Sequence, residues 1–399
     1  ITTIFLFSFQ NQPQQMLNFN NGDYDSTWKS IDSLENRGLP KSALEKTLEL
    51  LEIAKKDENP SQIAKCLIYR SKYESQLEEE GLIKAIFKWE DEIEKADFPT
   101  KPMLQSMLAE MYSSYLNQNR WRFDNRTQTT SWRAEDIRTW TIEQLIEKTA
   151  ELYLVSTENE ATQKVKLEDF NAILDKGINT ENLRPTLYDF LAHRAIDYFG
   201  KQEAHLTQPN YKFYIDKQEY FSSAKDFVQI NIETQDTSSF KFQTLLLYQK
   251  LLKFRLDSEN VGALADVEKK LWKFIYGNSI SETKSNDYER ILRWASKNYY
   301  ALPVASEFFY EWANLDYQKG QNYQPNPDEE GKWLWKKALK TCETAIKLHP
   351  KSFGAGQCQT LKNNILKKEL ALQIEQVNLP NSPFLIYVQY RNEPNIFGK

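Results

Sequence analysis

Apolar residues recur at three- and four-residue spacing from about residue 24 to residue 370, and the spacing then changes to two. A period near 3.6 places them on one face of a helix, whereas a period of 2 places them on one face of a strand. Trp28, Ile31 and Leu34 mark a helix over 24–37, ended by Asn36-Arg-Gly38; Pro40 opens the next, the Gly-stop, Pro-start order that helices prefer. The same pattern predicts helices over 40–56, 60–78, 81–96, 102–117, 137–155, 184–199, 219–229, 239–257, 260–276, 284–298, 303–319, 331–348 and 352–370. Residues 201–219 read as extended or irregular. With short turns between them, such helices pack as antiparallel neighbours. Ala338, Ala345 and Pro350 sit where tetratricopeptide units place small residues and a closing proline. A strict 34-residue repeat is missing, and residues 320–330 form a long connection. The expected fold is all-α: an irregular, tetratricopeptide-like α-solenoid of antiparallel helix pairs.

Period 2 takes over from about residue 371. Leu372, Ile374 and Val377 alternate with polar residues, and Phe384, Ile386, Val388 and Tyr390 share a second face beyond an Asn/Pro-rich turn. Two strands cannot bury a face alone. Residues 371–399 are therefore expected to open a β-sandwich that continues past Lys399, and to be partly detached here. At the other end, Ile1–Phe9 is an apolar run too short to span a bilayer. It reads as the remnant of a signal peptide followed by a polar linker, residues 1–20, which implies export to the periplasm or cell envelope. The helical part divides on this reading into a bundle over 21–155 and a tetratricopeptide-like region over 156–370.

Composition narrows the function. Lys plus Arg number 51 against 56 Asp plus Glu, a net charge of −5, so no nucleic-acid partner is expected. Aromatics make up 13% of a chain that is otherwise polar, and each can remove roughly 150–250 Å² from water. The sequence holds no His-Glu-x-x-His, Gly-x-Ser-x-Gly or P-loop string, and Gly354-Ala-Gly356 falls inside a helical pattern. Asp189, His193 and Asp197 share a helix face that could offer metal ligands or a general base. A polar stripe with one Asp–His hydrogen bond explains them as well, and no catalytic, metal or cofactor residue is expected.

Arg and aromatic residues cluster at Arg120-Trp-Arg-Phe-Asp-Asn-Arg126, with Trp132, Arg133, Arg138 and Trp140 following. Trp121, Arg122, Trp132 and Trp140 could form a stacking platform for a sugar, a peptide or a single strand of nucleic acid. The structural alternative has Trp121, Phe123 and Trp140 filling core while the arginines pair with nearby acids. Asn125-Arg-Thr127 matches a glycosylation sequon, a string common by chance. The three cysteines, Cys66, Cys342 and Cys358, lack metal-ligand spacing. Cys342 and Cys358 lie eight residues either side of Pro350, so an antiparallel hairpin would bring them to one height, while Cys66 packs apart.

Three strings carry a resemblance: Ser33-Leu-Glu-Asn-Arg-Gly-Leu-Pro-Lys-Ser-Ala43; Asn119-Arg-Trp-Arg-Phe-Asp-Asn-Arg-Thr127 with Asp136-Ile-Arg-Thr-Trp140; and Leu183-Arg-Pro-Thr-Leu-Tyr-Asp-Phe-Leu-Ala-His-Arg-Ala195. They resemble the N-terminal helical region of bacterial alpha-2-macroglobulin family proteins of the Bacteroidota type. Ile374-Glu-Gln-Val-Asn-Leu-Pro-Asn-Ser-Pro-Phe384 resembles the start of that family's first macroglobulin-like β domain. The resemblance spans residues 24–394 and implies a larger exported protein that traps proteases after cleavage of a bait segment. None of the three cysteines matches the family's Cys-x-Glu-Gln thioester string. On this reading the chain is a non-catalytic helical scaffold of an endopeptidase inhibitor. Proteases are its partners through downstream regions, association with the outer envelope follows, and bait and thioester lie elsewhere. The alternative is an exported helical protein binding oligosaccharide or peptide through the Arg/Trp cluster. A third reading, an α/α hydrolase, would require two carboxylates about 5–9.5 Å apart across a cleft.

Overall fold

The computed structural model describes residues 24–123, 133, 136–175, 177, 180, 182–201, 211–323, 331–374, 377, 383–393 and 395. The described residues form fourteen α-helices followed by one two-stranded antiparallel sheet. The chain divides into two compact units, Ile1–Lys176 with Pro185–Ala195, and Gly177–Arg184 with Ile196–Lys399. The residues expected to be a signal remnant and linker lie outside the described ones.

The first unit holds α1 (Tyr24–Asn36), α2 (Pro40–Lys56), α3 (Pro60–Leu77), α4 (Gly81–Lys95), α5 (Thr100–Phe123) and α6 (Ile142–Ser156), and each packs on the next. Their boundaries follow local chemistry. Gly38 takes φ +69 after α1, a conformation in which a Cβ is unfavourable, and its N–H donates to Glu35 O at 2.9 Å. Asn59 accepts from the Gln62 N–H at 3.1 Å ahead of Pro60, and Thr141 with Gln144 forms a reciprocal capping box on α6. Helix α5 also packs on α3 and buries residues around much of its circumference, among them Leu104, Leu108, Tyr112 and Tyr115. It runs six residues beyond the expected 117, because Phe123 returns to the buried side and meets Tyr115 edge-on at 6.3 Å.

Large aromatics fill this core, and their polar atoms tie neighbouring helices. The Trp28 indole donates to Gln62 Oε1, the Trp89 indole to Ser71 Oγ, and the Tyr112 hydroxyl to Glu90, each at 2.8 Å. Each bond satisfies a donor that burial would otherwise leave without water. Residues 165–167 pair with 185–187, where Leu187 N donates to Val165 O and Leu167 N to Pro185 O, both at 2.9 Å. That pairing closes a small apolar cluster of Met103, Val165, Phe170, Leu187 and Leu191 under the start of α7 (Leu187–Phe199).

The second unit holds the last residues of α7, then α8 (Ala224–Phe227), α9 (Phe240–Leu256), α10 (Val261–Asn278), α11 (Lys284–Asn298), α12 (Ala305–Gln321), α13 (Leu334–Leu348) and α14 (Phe353–Leu366). From α8 onward each helix packs on the next, and α12 also packs on α14. The helix expected over 219–229 is a 3-10 turn, Gln218–Tyr220, followed by the single turn α8. Other elements claim the backbone there. Ser222 O accepts the Trp272 indole N–H at 2.9 Å, and Ala224 N donates to the Glu268 carboxylate at 2.7 Å. Trp272 is fully buried, 5.7 Å from the Phe308 ring. Two ion pairs tie α10 to α12: Lys269 with Glu307, and Lys273 with Glu311 at 3.1 Å.

Helix α14 stops at Leu366, short of the expected 370. Strand β1 (Glu369–Ile374) pairs antiparallel with β2 (Ile386–Arg391), Glu369 opposite Arg391 and Ile374 opposite Ile386. The last side chain of β2 and the one after it end the helix. Arg391 donates to Asn364 O at 3.1 Å, and Asn392 to Ile365 O at 2.7 Å, filling carbonyls that have no partner within the helix. The register puts Leu370, Leu372, Ile374, Ile386, Val388 and Tyr390 on one face, and all six are exposed. The residues therefore form the expected hairpin, with Leu370 added to its apolar face.

Candidate functional site

The Arg/Trp cluster lies in the first unit, at the C-terminal end of α5 and the entry to α6. On α5 the buried residues Tyr112, Tyr115, Leu116 and Phe123 share one side. Trp121 is nine residues past Tyr112, about 900° along the helix, so it points to the opposite side. It is 65% exposed, which corrects the expectation that it fills core. The Arg122 guanidinium lies 5.0 Å from its ring centroid, and Arg122 is itself exposed. Phe123 is buried, as expected.

Trp140 sits between the 3-10 turn Ile137–Thr139 and the capping box of α6. Its ring stacks on Tyr112 at 5.8 Å with planes 16° apart, and its indole N–H donates to Arg133 O at 3.2 Å. The other face is half-open, so Trp140 is only partly core. It heads a shallow depression lined by Gln144, Glu147, Lys148 and Glu151, one stripe of α6. A flat ring with a polar rim of two carboxylates, an amide and the Lys148 ammonium, which pairs with Glu151 at 3.6 Å, suits a ring bearing hydroxyls. Arg138 pairs with Asp136 at 2.7 Å and with Glu80 at 2.5 Å, as the structural alternative expects. Its bonds hold the Asp136 carboxyl below its ordinary range. Trp132 lies outside the described residues.

The Asp189/His193/Asp197 stripe does not converge as a site. Asp189 is buried and turns back to the helix start, accepting from Thr186 N at 3.0 Å and Thr186 Oγ1 at 2.7 Å. That is a capping arrangement. His193 is buried in α7, and Asp197 is exposed. His349 Nε2 lies 2.9 Å from Tyr300 O, and His205 lies outside the described residues. Among the described residues no group of three or more His, Cys, Asp or Glu is arranged to hold a metal ion. Gly354 and Gly356 lie inside α14, as their helical pattern predicts.

Two surface features escaped the sequence reading. Trp333 is exposed just before α13, with Lys332 and Lys336 each 5.6 Å from its ring. Trp335 stacks on Tyr317 at 5.4 Å and carries Arg391 over its ring. The flanking lysines were a readable signal for the first, whereas the second joins residues far apart in sequence. No described helix is long and apolar enough to cross a membrane. Compared with family models, curated proteins and solved structures, the chain matches none.

Proposed function

We propose that this chain is the non-catalytic helical scaffold of an alpha-2-macroglobulin-like endopeptidase inhibitor in the periplasm, its helices an irregular tetratricopeptide-like solenoid. Proteases are the partners, and they are held by β domains, with bait segment and any thioester outside these 399 residues. The quoted sequence strings supply the trapping role. The observation that carries the reading is the hairpin β1–β2. It is tethered to α14 by Arg391 and Asn392, yet presents six exposed apolar side chains on one face. A contiguous apolar face on a two-stranded sheet needs a covering layer, and a β-sandwich supplies one. The neighbour-on-neighbour helix packing within each unit supports the solenoid.

The test takes the gene product carrying this chain and incubates it with an endopeptidase. Physical trapping lowers cleavage of a protein substrate while leaving a small chromogenic substrate cleaved. Equal activity on both substrates, with and without the gene product, would exclude trapping.

One observation favours a second reading, an exported helical protein binding oligosaccharide or peptide. Trp121 is exposed beside Arg122, and Trp140 opens onto a depression with a polar rim. Titration of a chito-oligosaccharide and of a lysine-rich peptide, followed by indole fluorescence, tests it. A response lost in Trp140→Ala supports this reading, and no response to either ligand removes it.

A further inference from the structure

The three cysteines are all buried, but they do not share one environment. Cys66 stands in α3, where burial pushes its thiol up to about 12. Cys342 on α13 and Cys358 on α14 are fully buried where these two helices pack on each other, and the Cys342 thiol pushes the pKa of Cys358 up as a near neighbour does. The sequence places them there. They are equidistant from Pro350, and paired antiparallel helices rise equally from their turn. The turn region of this pair is built of small side chains: Ala345 and Ala355 are buried, as is Ala338 further along α13. A Cβ at Gly354 would sit 2.3 Å from Glu307 N and 2.4 Å from Ser306 C, so glycine lets α14 lie directly on the start of α12. Cys358 Sγ is 4.0 Å from Ser306 O in the same contact. A disulfide needs Cα atoms about 4.4–6.8 Å apart, and small residues around the contact help facing helices come that close.

We propose that Cys342 and Cys358 form an oxidation site, closing an intramolecular disulfide that joins α13 to α14 while Cys66 stays a thiol. The oxidant is a small disulfide of the glutathione type. One cysteine thiolate attacks it, forming a mixed disulfide and releasing one thiol. The second thiolate attacks the mixed disulfide, closing the protein bond and releasing the second thiol. Two protons and two electrons leave the protein, one S–S bond forms and one breaks. Both thiols are fully buried, so a disulfide of glutathione size cannot reach them once the helices are docked. Exchange therefore takes place before α14 docks, while the chain folds. The proposal is independent of the protease-trapping reading, since its test needs no protease.

The chain is unfolded with reductant and refolded by dilution into glutathione buffer containing an excess of the oxidised form. A parallel sample is folded first and then placed in the same buffer. Both are denatured, alkylated and digested for mass spectrometry. The refolded sample should lose two hydrogen masses, link the Cys342 and Cys358 peptides, and carry label on Cys66. The pre-folded sample should oxidise at least about tenfold more slowly. The Cys66→Ser variant should behave as the wild type, and Cys342→Ser should give no intramolecular bond. The oxidised protein should melt roughly 5 °C higher, because the cross-link restricts the unfolded chain. Three labelled thiols after refolding, or a link through Cys66, would overturn the site. Equal oxidation rates in the two samples would overturn its coupling to folding.

Discussion

The Arg391 guanidinium lies 5.3 Å from the centroid of the Trp335 ring, and through this contact the exposed hairpin is held to the helices of the second unit. The same side chain donates to Asn364 O at 3.1 Å and Lys367 O at 3.2 Å, and Trp335 donates to Tyr317 O at 3.0 Å. One residue thus caps a helix, covers an indole and fixes a strand.

Arg391→Ala should cost about 1–2 kcal/mol of local stability, combining charge-assisted hydrogen bonds with a partly exposed cation–π contact. Hydrogen exchange should speed up over 369–374 and 386–391 while α12 and α13 keep their protection. Unchanged exchange in both strands would show that the tether does not hold them.

Trp121 and Phe123 provide a second comparison, two residues apart and on opposite sides of α5. Phe123→Ala should cost about 3–5 kcal/mol, whereas Trp121→Ala should stay within about 0.5 kcal/mol. Urea unfolding of both variants decides, and a reversed order would refute the helix-face assignment.

Glu268 bears on pH. Its carboxylate accepts from the Tyr299 hydroxyl at 2.6 Å and Ala224 N at 2.7 Å, yet burial holds its pKa above the ordinary 4.5. A raised acid stabilises the fold fully below its unfolded value, and that contribution is lost as pH rises through the folded value. Glu268→Gln keeps an acceptor and removes the buried charge. Relative to the wild type it should therefore gain stability between pH 4.5 and pH 7.5, read from urea midpoints at the two pH values. A difference that shrinks as pH rises would reverse the sign argued here.

The hairpin face gives the last prediction. Leu372 and Val388 are directly opposite each other and exposed. The double variant Leu372→Lys, Val388→Lys should bind less of a hydrophobic dye and keep its helical circular dichroism, with a stability change under about 1 kcal/mol. A loss of several kcal/mol would mean that the face is covered.

Helix positions were legible because they depend on local chemistry. Gly38 with Pro40 and Asn59 with Pro60 fix boundaries through groups at most two residues apart, whereas the helix expected from 137 begins only at Ile142, after a separate 3-10 turn. The two strands were legible for the same reason, since period 2 is a local signal. So was the pairing of α13 with α14 across the turn at Pro350. Other features depended on partners distant in sequence. Helix α14 stops at Leu366 because Arg391 and Asn392 take its carbonyls, and residues 218–227 break into short turns because Trp272 takes a carbonyl and Glu268 an N–H there. Trp121 and Trp140 looked alike in the sequence. One faces outward because of its angle on α5, and the other is half-covered because Tyr112 stands beneath it. A side chain's period is set by its own backbone, but its burial is set by what packs against it, and only the tertiary structure supplies that.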